Sequence, residues 1–274
     1  MINTVYKQDL FKGKVALVTG GGTGIGLRTA RELAQLGATV MLASRKQEKL
    51  ETAVELIRNE GGTAYSVACN VRDEESVKNC IRETIKQAGT IDFLINNAGG
   101  QFPSPAEMIN RKGWNAVIET NLTGPFFMSQ EVFNQVFREK GGAIVNVIAN
   151  MWNGFPVMSH TGAARAGVDN LTKSLAIEWG RYGVRVNAVA PGVIHTSGLD
   201  NYGTFKSFVL ETGKNNQTNR LGSEEEVASA ILFLLSPGAS FITGETLKVD
   251  GAESIYSSFY PPVEHQKLPP FKDE

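Results

Sequence analysis

The chain has 274 residues, of which 42% are hydrophobic and 20% are charged. This length and composition are typical of a globular protein with one large domain or two small ones. Lys and Arg number 27 against 28 Asp and Glu, so the formal net charge of −1 excludes a bulk electrostatic attraction to nucleic acid or to an anionic membrane. We therefore expect neither of these partners.

Cysteine usage and the chain ends point to a reducing compartment. Cys69 and Cys80 form no CxxC pair and no Cys/His cluster, so we expect two buried free thiols and no metal site. The N-terminal stretch has no apolar signal-peptide core, and no window approaches the roughly 18 apolar residues of a membrane span. The C-terminal stretch "PPFKDE" matches no retrieval signal, so we predict a cytoplasmic protein.

From Lys14 onward, short apolar runs alternate with longer amphipathic ones, which predicts an α/β protein with a parallel sheet. The strands are rich in Val, Ile and Leu without strict alternation, as expected when both faces are covered. Ser223 and Glu226 form a capping box at the start of the last helix. The predicted strands are 14–19, 39–44, 64–68, 92–96, 143–148, 184–190 and 246–250. The predicted helices are 24–36, 47–60, 74–88, 121–139, 160–180 and 223–236.

No internal repeat, low-complexity tract or Pro/Ser-rich linker divides the chain, so residues 1–274 are predicted to form a single domain. Residues 192–222 are long and polar enough to be a mobile substrate lid, and we call this segment the lid. Residues 257–274 form a Pro-containing C-terminal tail.

The stretch "VTGGGTGIG" follows the first strand and opens the first helix. Glycines there allow a tight turn and a close approach to a pyrophosphate, whose charge is met by the helix N-terminal amides. A strand-to-helix turn could also require glycine for its own sake, but the spacing and the context favour dinucleotide binding. The expected contacts in this turn are Gly20, Thr23, Gly24, Ile25 and Gly26.

Ser44, Arg45 and Lys46 end the second strand, where an NAD-binding protein would carry an acidic acceptor for the ribose hydroxyl. Two cations and a hydroxyl suit a 2′-phosphate instead. The alternative is a solvated basic start to the next helix. We predict NADP(H) as the cofactor.

Three further motifs complete a pattern: "NNAG" at 96–99, "NLTG" at 121–124 and "NAVAPGVIHT" at 187–196. Together with the glycine turn, they resemble the short-chain dehydrogenase/reductase superfamily from about Phe11 to Gly251. The resemblance implies a three-layer Rossmann fold with a doubly wound, seven-stranded parallel sheet. Asn70 stands where many relatives carry Asp. The further cofactor contacts that the resemblance implies are Asn70, Val71, Asn97, Ala98, Gly99, Pro191, Gly192, Val193 and Thr196.

Typical members of this superfamily use a Ser and a Tyr-x-x-x-Lys pair, in which the Tyr protonates the new alkoxide. Two registers are available here, Thr161 with Arg165 or Asp169 with Lys173. In the family the Tyr lies about thirty residues before the "PG" of the later motif, which selects the first register. Thr161 then replaces Tyr and Arg165 replaces Lys.

These replacements favour one reaction over another. Arg165 keeps its charge and can donate two hydrogen bonds to a ribose diol, whereas a threonine hydroxyl is a far weaker acid than a phenol. Reduction of a ketone needs a proton on oxygen. Saturation of an enoyl thioester produces an enolate, which needs hydrogen-bond donors at oxygen and can take its proton at carbon. The loss of Tyr therefore hurts the second reaction less.

The stretches "NNAGGQFPSPAEMINRKGWNAVIETNLTG" and "FPVMSHTGAARAGVDNLTKSLAIEW" are similar to the peroxisomal trans-2-enoyl-CoA reductase branch, near the 2,4-dienoyl-CoA reductases. This resemblance implies NADPH-dependent reduction of the 2,3 double bond of trans-2-enoyl-CoA, an acyl-CoA-type substrate and a homotetramer. The tyrosines that serve as proton donors in this branch fall on Asp169 and Asn150, so neither role carries over.

Other residues must therefore complete the site. Asn121 aligns with a family asparagine that organises an active-site water, although it could simply cap or kink its helix. His160 could donate a proton near neutral pH, or act as a packing residue. Tyr202, in the lid, could swing in. The candidate catalytic residues are Asn121, Thr161, Arg165, Asn150 and His160.

Two other functions stay open on the sequence. One is reduction of a 3-oxoacyl thioester or another carbonyl compound. The other is a catalytically silent NADP(H)-binding protein, which the joint loss of Tyr and Lys makes credible.

Overall fold

The computed structural model describes residues 4–255 and 261–271, except for the side chains of residues 200 and 201. Seven strands form one parallel sheet in the order β3-β2-β1-β4-β5-β6-β7, which confirms the predicted doubly wound Rossmann fold. The strands are β1 (Val15–Thr19), β2 (Thr39–Ser44), β3 (Thr63–Ala68), β4 (Phe93–Asn96), β5 (Gly142–Val147), β6 (Val184–Pro191) and β7 (Thr246–Val249).

The helices lie on both faces of this sheet. The predicted capping box opens α9: the Ser223 hydroxyl accepts from the Glu226 N–H at 3.3 Å, and the Glu226 carboxylate accepts from the Ser223 N–H at 2.9 Å. The helices are α1 (Gly24–Gln35), α2 (Gln47–Asn59), α3 (Glu74–Ala88), α4 (Arg111–Ile118), α5 (Gly124–Val132), α6 (Arg138–Lys140), α7 (Ser159–Trp179), α8 (Phe205–Thr212) and α9 (Glu224–Leu235).

Helices α4 to α6 follow one another without a break, joined by π-helical turns at Glu119–Thr123 and Phe133–Phe137. The prediction that this helix starts at residue 121 was therefore wrong by about three turns. Asn110 starts it instead, because its side-chain oxygen accepts from the Gly113 N–H at 2.8 Å. Gly113 in the first turn lowers the helix propensity, which hid this start in the sequence.

Two layers of buried apolar side chains cover the two faces of the sheet. Side chains of α1, α2 and α9 pack on one face, and side chains of α3, α5 and α7 pack on the other. Successive β1 residues divide between the two layers, with Ala16 and Val18 in the first and Leu17 in the second. Cys69 and Cys80 are buried free thiols in the second layer, as predicted.

The carboxyl ends of all seven strands lie along one edge of the sheet, and the strand order reverses between β1 and β4. Ligands of doubly wound sheets bind in the crevice at such a reversal. The residues that follow β1, β4, β5 and β6 are therefore brought together there.

Residues 261–271 lie against the end of the lid. The Arg220 guanidinium donates to the carbonyl oxygens of Leu268 and Pro269, at 2.7 and 3.4 Å. The Ser223 hydroxyl donates to the carbonyl oxygen of Phe271 at 3.0 Å. This part of the tail is thus fastened to the lid through its main chain.

The opposite, N-terminal edge of the sheet is fixed by Asp92, which is 6% exposed. Its carboxylate accepts from the Val15 N–H at 2.9 Å and pairs with the ammonium groups of Lys140 and Lys14, at 3.0 and 3.3 Å. Burial alone would raise the pKa of Asp92, but the hydrogen bond and the two cations outweigh it and lower the pKa below its ordinary value.

We expect Asp92→Asn to lower the free energy of unfolding by about 1 to 3 kcal/mol near neutral pH, because the amide cannot replace the charge-assisted contacts. A carboxylate with a lowered pKa stabilises the fold above its unfolded pKa, and this stabilisation is lost as the pH falls. The difference between wild type and variant should therefore shrink below a pH of about 4. Urea unfolding at several pH values measures it.

Asp9→Asn is the matched control, since Asp9 is exposed and its carboxylate lies 3.8 Å from the Lys12 ammonium group. It should change the free energy of unfolding by less than about 0.5 kcal/mol. A difference for Asp92→Asn that is independent of pH would contradict the assignment.

Candidate active site

The turn between β1 and α1 has a backbone that only glycine accommodates without strain. Gly20 and Gly24 have φ values of 66° and 57°, in the left-handed region. A Cβ on Gly26 would lie 2.4 Å from both the Asn97 amide nitrogen and the Gly20 carbonyl oxygen. Thr23 makes no side-chain capping bond, which leaves the first N–H groups of α1 for an anionic ligand.

Thr19 joins this turn to the loop after β4. Its hydroxyl accepts from the N–H groups of Asn97 and Ala98, each at 3.0 Å, and donates to the Ile95 carbonyl oxygen at 3.2 Å. The Asn97 side chain returns a bond to the Thr19 carbonyl oxygen at 3.0 Å. Thr19 was not among the predicted site residues, although its hydroxyl immediately before the glycine turn is a feature that the sequence shows.

Arg165 is a buried cation beside this loop, 7% exposed. Its Nη1 donates to the Val147 carbonyl oxygen at 3.0 Å, while its Nε is buried without a hydrogen-bond partner. Burial lowers the pKa of Arg165 to about 10, so the side chain is still charged at neutral pH. A Cβ on Gly99 would lie 2.5 Å from its Nη2. Within the described residues no carboxylate lies within 4.0 Å of it.

Asn121, in the first π-helical turn, is fully buried. Its side-chain oxygen accepts from the Gly100 N–H at 2.9 Å, and its side-chain nitrogen donates to the Gly100 carbonyl oxygen at 2.8 Å. Both ends of this amide are therefore engaged by the main chain. In this geometry the side chain positions the glycine loop beside Arg165.

His160 and Thr161, in the first turn of α7, are both fully buried. The His160 Nδ1 accepts from the Thr161 N–H at 2.9 Å, so a neutral ring carries its proton on Nε2, which is buried without a partner. The Phe102 ring packs edge-on against the imidazole, with ring centroids 4.6 Å apart. The Thr161 hydroxyl oxygen lies 3.4 Å from the same Nδ1, which can accept its proton only weakly at that distance.

Asn150 links the end of β5 to the segment after β6. Its N–H donates to the Pro191 carbonyl oxygen at 2.9 Å, and its side-chain oxygen is buried without a partner. Burial raises the pKa of Glu253, Asn150 opposes this, and the charge of Asp250 adds to it. Glu253 could not be predicted from the sequence as a neighbour of Asn150, because no local pattern connects the two residues.

The segment 191–196 lies opposite the glycine turn. The Gly192 N–H donates to the Val249 carbonyl oxygen, and the Val193 carbonyl oxygen accepts from the Gly222 N–H, both at 3.0 Å. The Thr196 Cβ lies 3.9 Å from the point that a Cβ on Gly24 would occupy. A ligand in the crevice would therefore meet both segments.

The other end of the crevice is basic and open to solvent. Arg45 and Lys46, just after Ser44, are exposed, and no acidic partner lies within 4.0 Å of either in the described parts of the chain. Asn70 is exposed after β3, with its side-chain oxygen accepting from the Arg72 N–H at 3.3 Å. Next to it, the buried Val71 packs on Gly124.

These features fit a nicotinamide dinucleotide. A close glycine turn at a helix N-terminus could accept the pyrophosphate, the exposed cations would face the adenosine end, and the buried guanidinium with a free Nε would face the nicotinamide end. Ile25, half-buried in the first turn of α1, packs on the apolar layer beneath this site.

Comparison with known proteins agrees with this site. A family model described as enoyl-(acyl carrier protein) reductase matches residues 20–252. The chain belongs to the short-chain dehydrogenase/reductase superfamily. As a member, it is an oxidoreductase that binds a nicotinamide dinucleotide. No helix of the described residues is long and apolar enough to cross a membrane.

Individual members of the superfamily are similar over most of their length. A peroxisomal 2,4-dienoyl-CoA reductase that produces (3E)-enoyl-CoA, from Danio rerio, is 38% identical over 93% of this chain and 86% of its own. A probable 2,4-dienoyl-CoA reductase from Bacillus subtilis is 38% identical over 88% and 96%. The solved citronellol catabolism dehydrogenase AtuB of Pseudomonas aeruginosa PAO1 is 48% identical, with a TM-score of 0.83, over 92% and 99%.

We expect Gly99→Ala to weaken binding of the nicotinamide dinucleotide roughly 10- to 100-fold, the equivalent of one charge-assisted hydrogen bond, because the new methyl group would displace the Arg165 guanidinium. Fluorescence titration with NADPH measures the change. Gly100→Ala is the matched control, since nothing lies within 4 Å of its added Cβ. Equal affinities for the two variants would contradict the placement of Arg165 at the cofactor.

Proposed function

We propose that this protein is an NADPH-dependent reductase of the 2,3 double bond of trans-2-enoyl-CoA or a similar enoyl thioester. The proposal rests on one observation: the site keeps a buried cation, Arg165, that can bind the cofactor, but it has a threonine hydroxyl at Thr161 in place of a phenol. The activities for which the dienoyl-CoA reductase relatives are named support an acyl-CoA substrate.

Each residue of the site has a separate role in this reaction. When bound, the reduced nicotinamide supplies the hydride that adds to the β carbon. Arg165 would hold the cofactor ribose, and Asn121 holds the Gly100 main chain beside Arg165. The double-bond electrons move to the carbonyl oxygen, where the Thr161 hydroxyl donates a hydrogen bond.

The Thr161 hydroxyl is available for this donation because the His160 Nδ1 accepts from the Thr161 N–H at 2.9 Å, whereas the hydroxyl oxygen lies 3.4 Å from the same Nδ1. His160 and Asn150 stay candidates for further hydrogen bonds to the substrate. Each has one buried polar atom without a protein partner, the imidazole Nε2 and the amide oxygen respectively. Such atoms cost free energy unless a ligand satisfies them.

Arg45 and Lys46 support NADPH over NADH, since both are exposed at the end of β2 without acidic partners among the described residues. A 2′-phosphate would supply the negative charge that they lack. Ser44 adds a hydroxyl at the strand end.

The homotetramer stays a prediction. Strand β7 lies at the edge of the sheet and is joined to α7 by the Thr246 hydroxyl, which donates to Asp169 at 2.6 Å. Ile177 on α7 and Phe241 in the segment before β7 are exposed apolar side chains, 84% and 103% accessible. Such side chains support burial between subunits.

A second candidate function is reduction of a carbonyl compound. The observation in its favour is the 48% identity to a protein named for citronellol catabolism and called a dehydrogenase. A catalytically silent NADP(H)-binding protein is the remaining alternative, and the same assay distinguishes all three.

The test measures NADPH consumption with trans-2-enoyl-CoA of several chain lengths, 2,4-dienoyl-CoA and 3-oxoacyl-CoA. We expect turnover of the enoyl thioesters, and Thr161→Val should lower kcat about 100-fold by removing one donor to the enolate oxygen. Ser174→Ala, at a half-buried position more than three turns further along the same helix, is the control. Turnover of 3-oxoacyl-CoA alone, or of nothing despite intact NADPH binding, would refute the proposal.

Cofactor choice is tested separately. The double variant Arg45→Gln, Lys46→Gln should lower kcat/KM for NADPH about 10-fold or more and leave kcat/KM for NADH unchanged, because only the 2′-phosphate contacts are lost. Arg82→Gln, an exposed cation on α3, should change neither value. A parallel loss for both cofactors would assign Arg45 and Lys46 to a role other than phosphate recognition.

A further inference from the structure

The site described above has no phenol at residues 150, 161 or 169, yet the chain contains six tyrosines. Four of them lie in the described residues. Tyr6 donates to the Ser229 carbonyl oxygen, the Tyr65 ring lies under the Arg58 guanidinium, and Tyr182 accepts from Arg181. Tyr202 is the one among these four that is bonded to the loop after β4.

The bond is made by Gln101, whose side-chain nitrogen donates to the Tyr202 hydroxyl oxygen. Gln101 directly follows Gly100, which Asn121 holds by both its N–H and its carbonyl oxygen. Gly99, one residue earlier, lies against the Arg165 guanidinium. The Tyr202 phenol is thus bonded to Gln101, two residues after Gly99, which lies against the Arg165 guanidinium.

The direction of this hydrogen bond leaves the phenolic proton available. An amide nitrogen can only donate, so the Tyr202 oxygen is the acceptor and its own O–H is not used in this contact. A half-buried phenol whose proton is unengaged at the mouth of a reductase site can donate that proton to a ligand.

The lid segment that carries Tyr202 is also connected to the cofactor site. Tyr202 ends the short helix Ser197–Tyr202, whose N-cap is Thr196. The Thr196 hydroxyl accepts from the Gly198 N–H at 3.1 Å, and its Cβ faces Gly24 of the phosphate turn. Cofactor binding between these segments would therefore fix the position of the phenol.

We propose that Tyr202 is the proton donor of the reaction and that Gln101 is its positioning residue. This inference rests on the proposed enoyl thioester reduction. The β carbon receives a hydride, which the reduced nicotinamide would supply when bound, and the π electrons of the double bond form the enolate. The enolate re-forms the carbonyl while its α carbon takes the Tyr202 proton, and water then reprotonates the phenolate. The sum is one NADPH and one proton consumed for each double bond saturated.

Two substitutions separate donation from positioning. Tyr202→Phe removes the proton and the bond to Gln101, whereas Gln101→Leu removes the same bond and leaves the phenol. If Tyr202 donates the proton, Tyr202→Phe should lower kcat about 100-fold or more, with KM and NADPH affinity little changed. Gln101→Leu should lower kcat less than about 10-fold. The solvent deuterium isotope effect on kcat should rise only in Tyr202→Phe.

Tyr182→Phe is the matched control, since it removes a phenol that is bonded to Arg181 and packed on Phe133, and it should leave kcat unchanged. Hydrogen exchange of residues 197–212 gives a readout that does not depend on turnover. It should quicken equally in Tyr202→Phe and Gln101→Leu, because both lose the same bond.

The outcomes are distinct. Equal kcat values for Tyr202→Phe and Gln101→Leu, with wild-type turnover intact, would overturn donation by Tyr202 and leave the proposed function standing. Unchanged hydrogen exchange in both variants would overturn the bond between Gln101 and Tyr202. Absence of enoyl thioester turnover in the wild type would overturn the proposed function, and the role of Tyr202 with it.

Discussion

The buried guanidinium of Arg165 determines which residues the site can hold around it. Arg165 has one protein acceptor, the Val147 carbonyl oxygen, and an Nε without a partner, so the folded chain holds a desolvated cation that its own described residues do not neutralise. The residue at 99 must be glycine to leave room for it, and Asn121 must hold Gly100 to keep that room open. A ligand with hydroxyl or anionic groups would relieve this cost, which ties cofactor affinity to local stability.

When threonine and arginine replace a tyrosine and lysine pair, cofactor binding and proton transfer no longer depend on the same two side chains. A Lys ammonium beside a phenol can both bind a ribose and assist proton release, whereas the arginine here can only bind and orient. Hydrogen bonding to oxygen and protonation at carbon can then come from different side chains, Thr161 on a fixed helix and Tyr202 on the lid. Such a division suits a reaction whose proton ends on carbon.

Local patterns made much of this fold predictable. The seven strands, the glycine turn and the capping box at Ser223 each depend on residues close together in the sequence. The early start of the helix at Arg111 was missed because a glycine in its first turn weakens the pattern. Contacts such as Glu253 with Asn150 and Gln101 with Tyr202 join residues about a hundred positions apart, and no local rule connects them.

The fastening of residues 261–271 to the lid uses the carbonyl oxygens of Leu268, Pro269 and Phe271 as acceptors, and the donors are Arg220 and Ser223. Every residue type carries such an oxygen, so residues 268, 269 and 271 can change their side chains through evolution without losing these bonds. A single inserted or deleted residue would instead shift every acceptor out of register. The spacing of this stretch, more than its composition, is what natural variation should preserve.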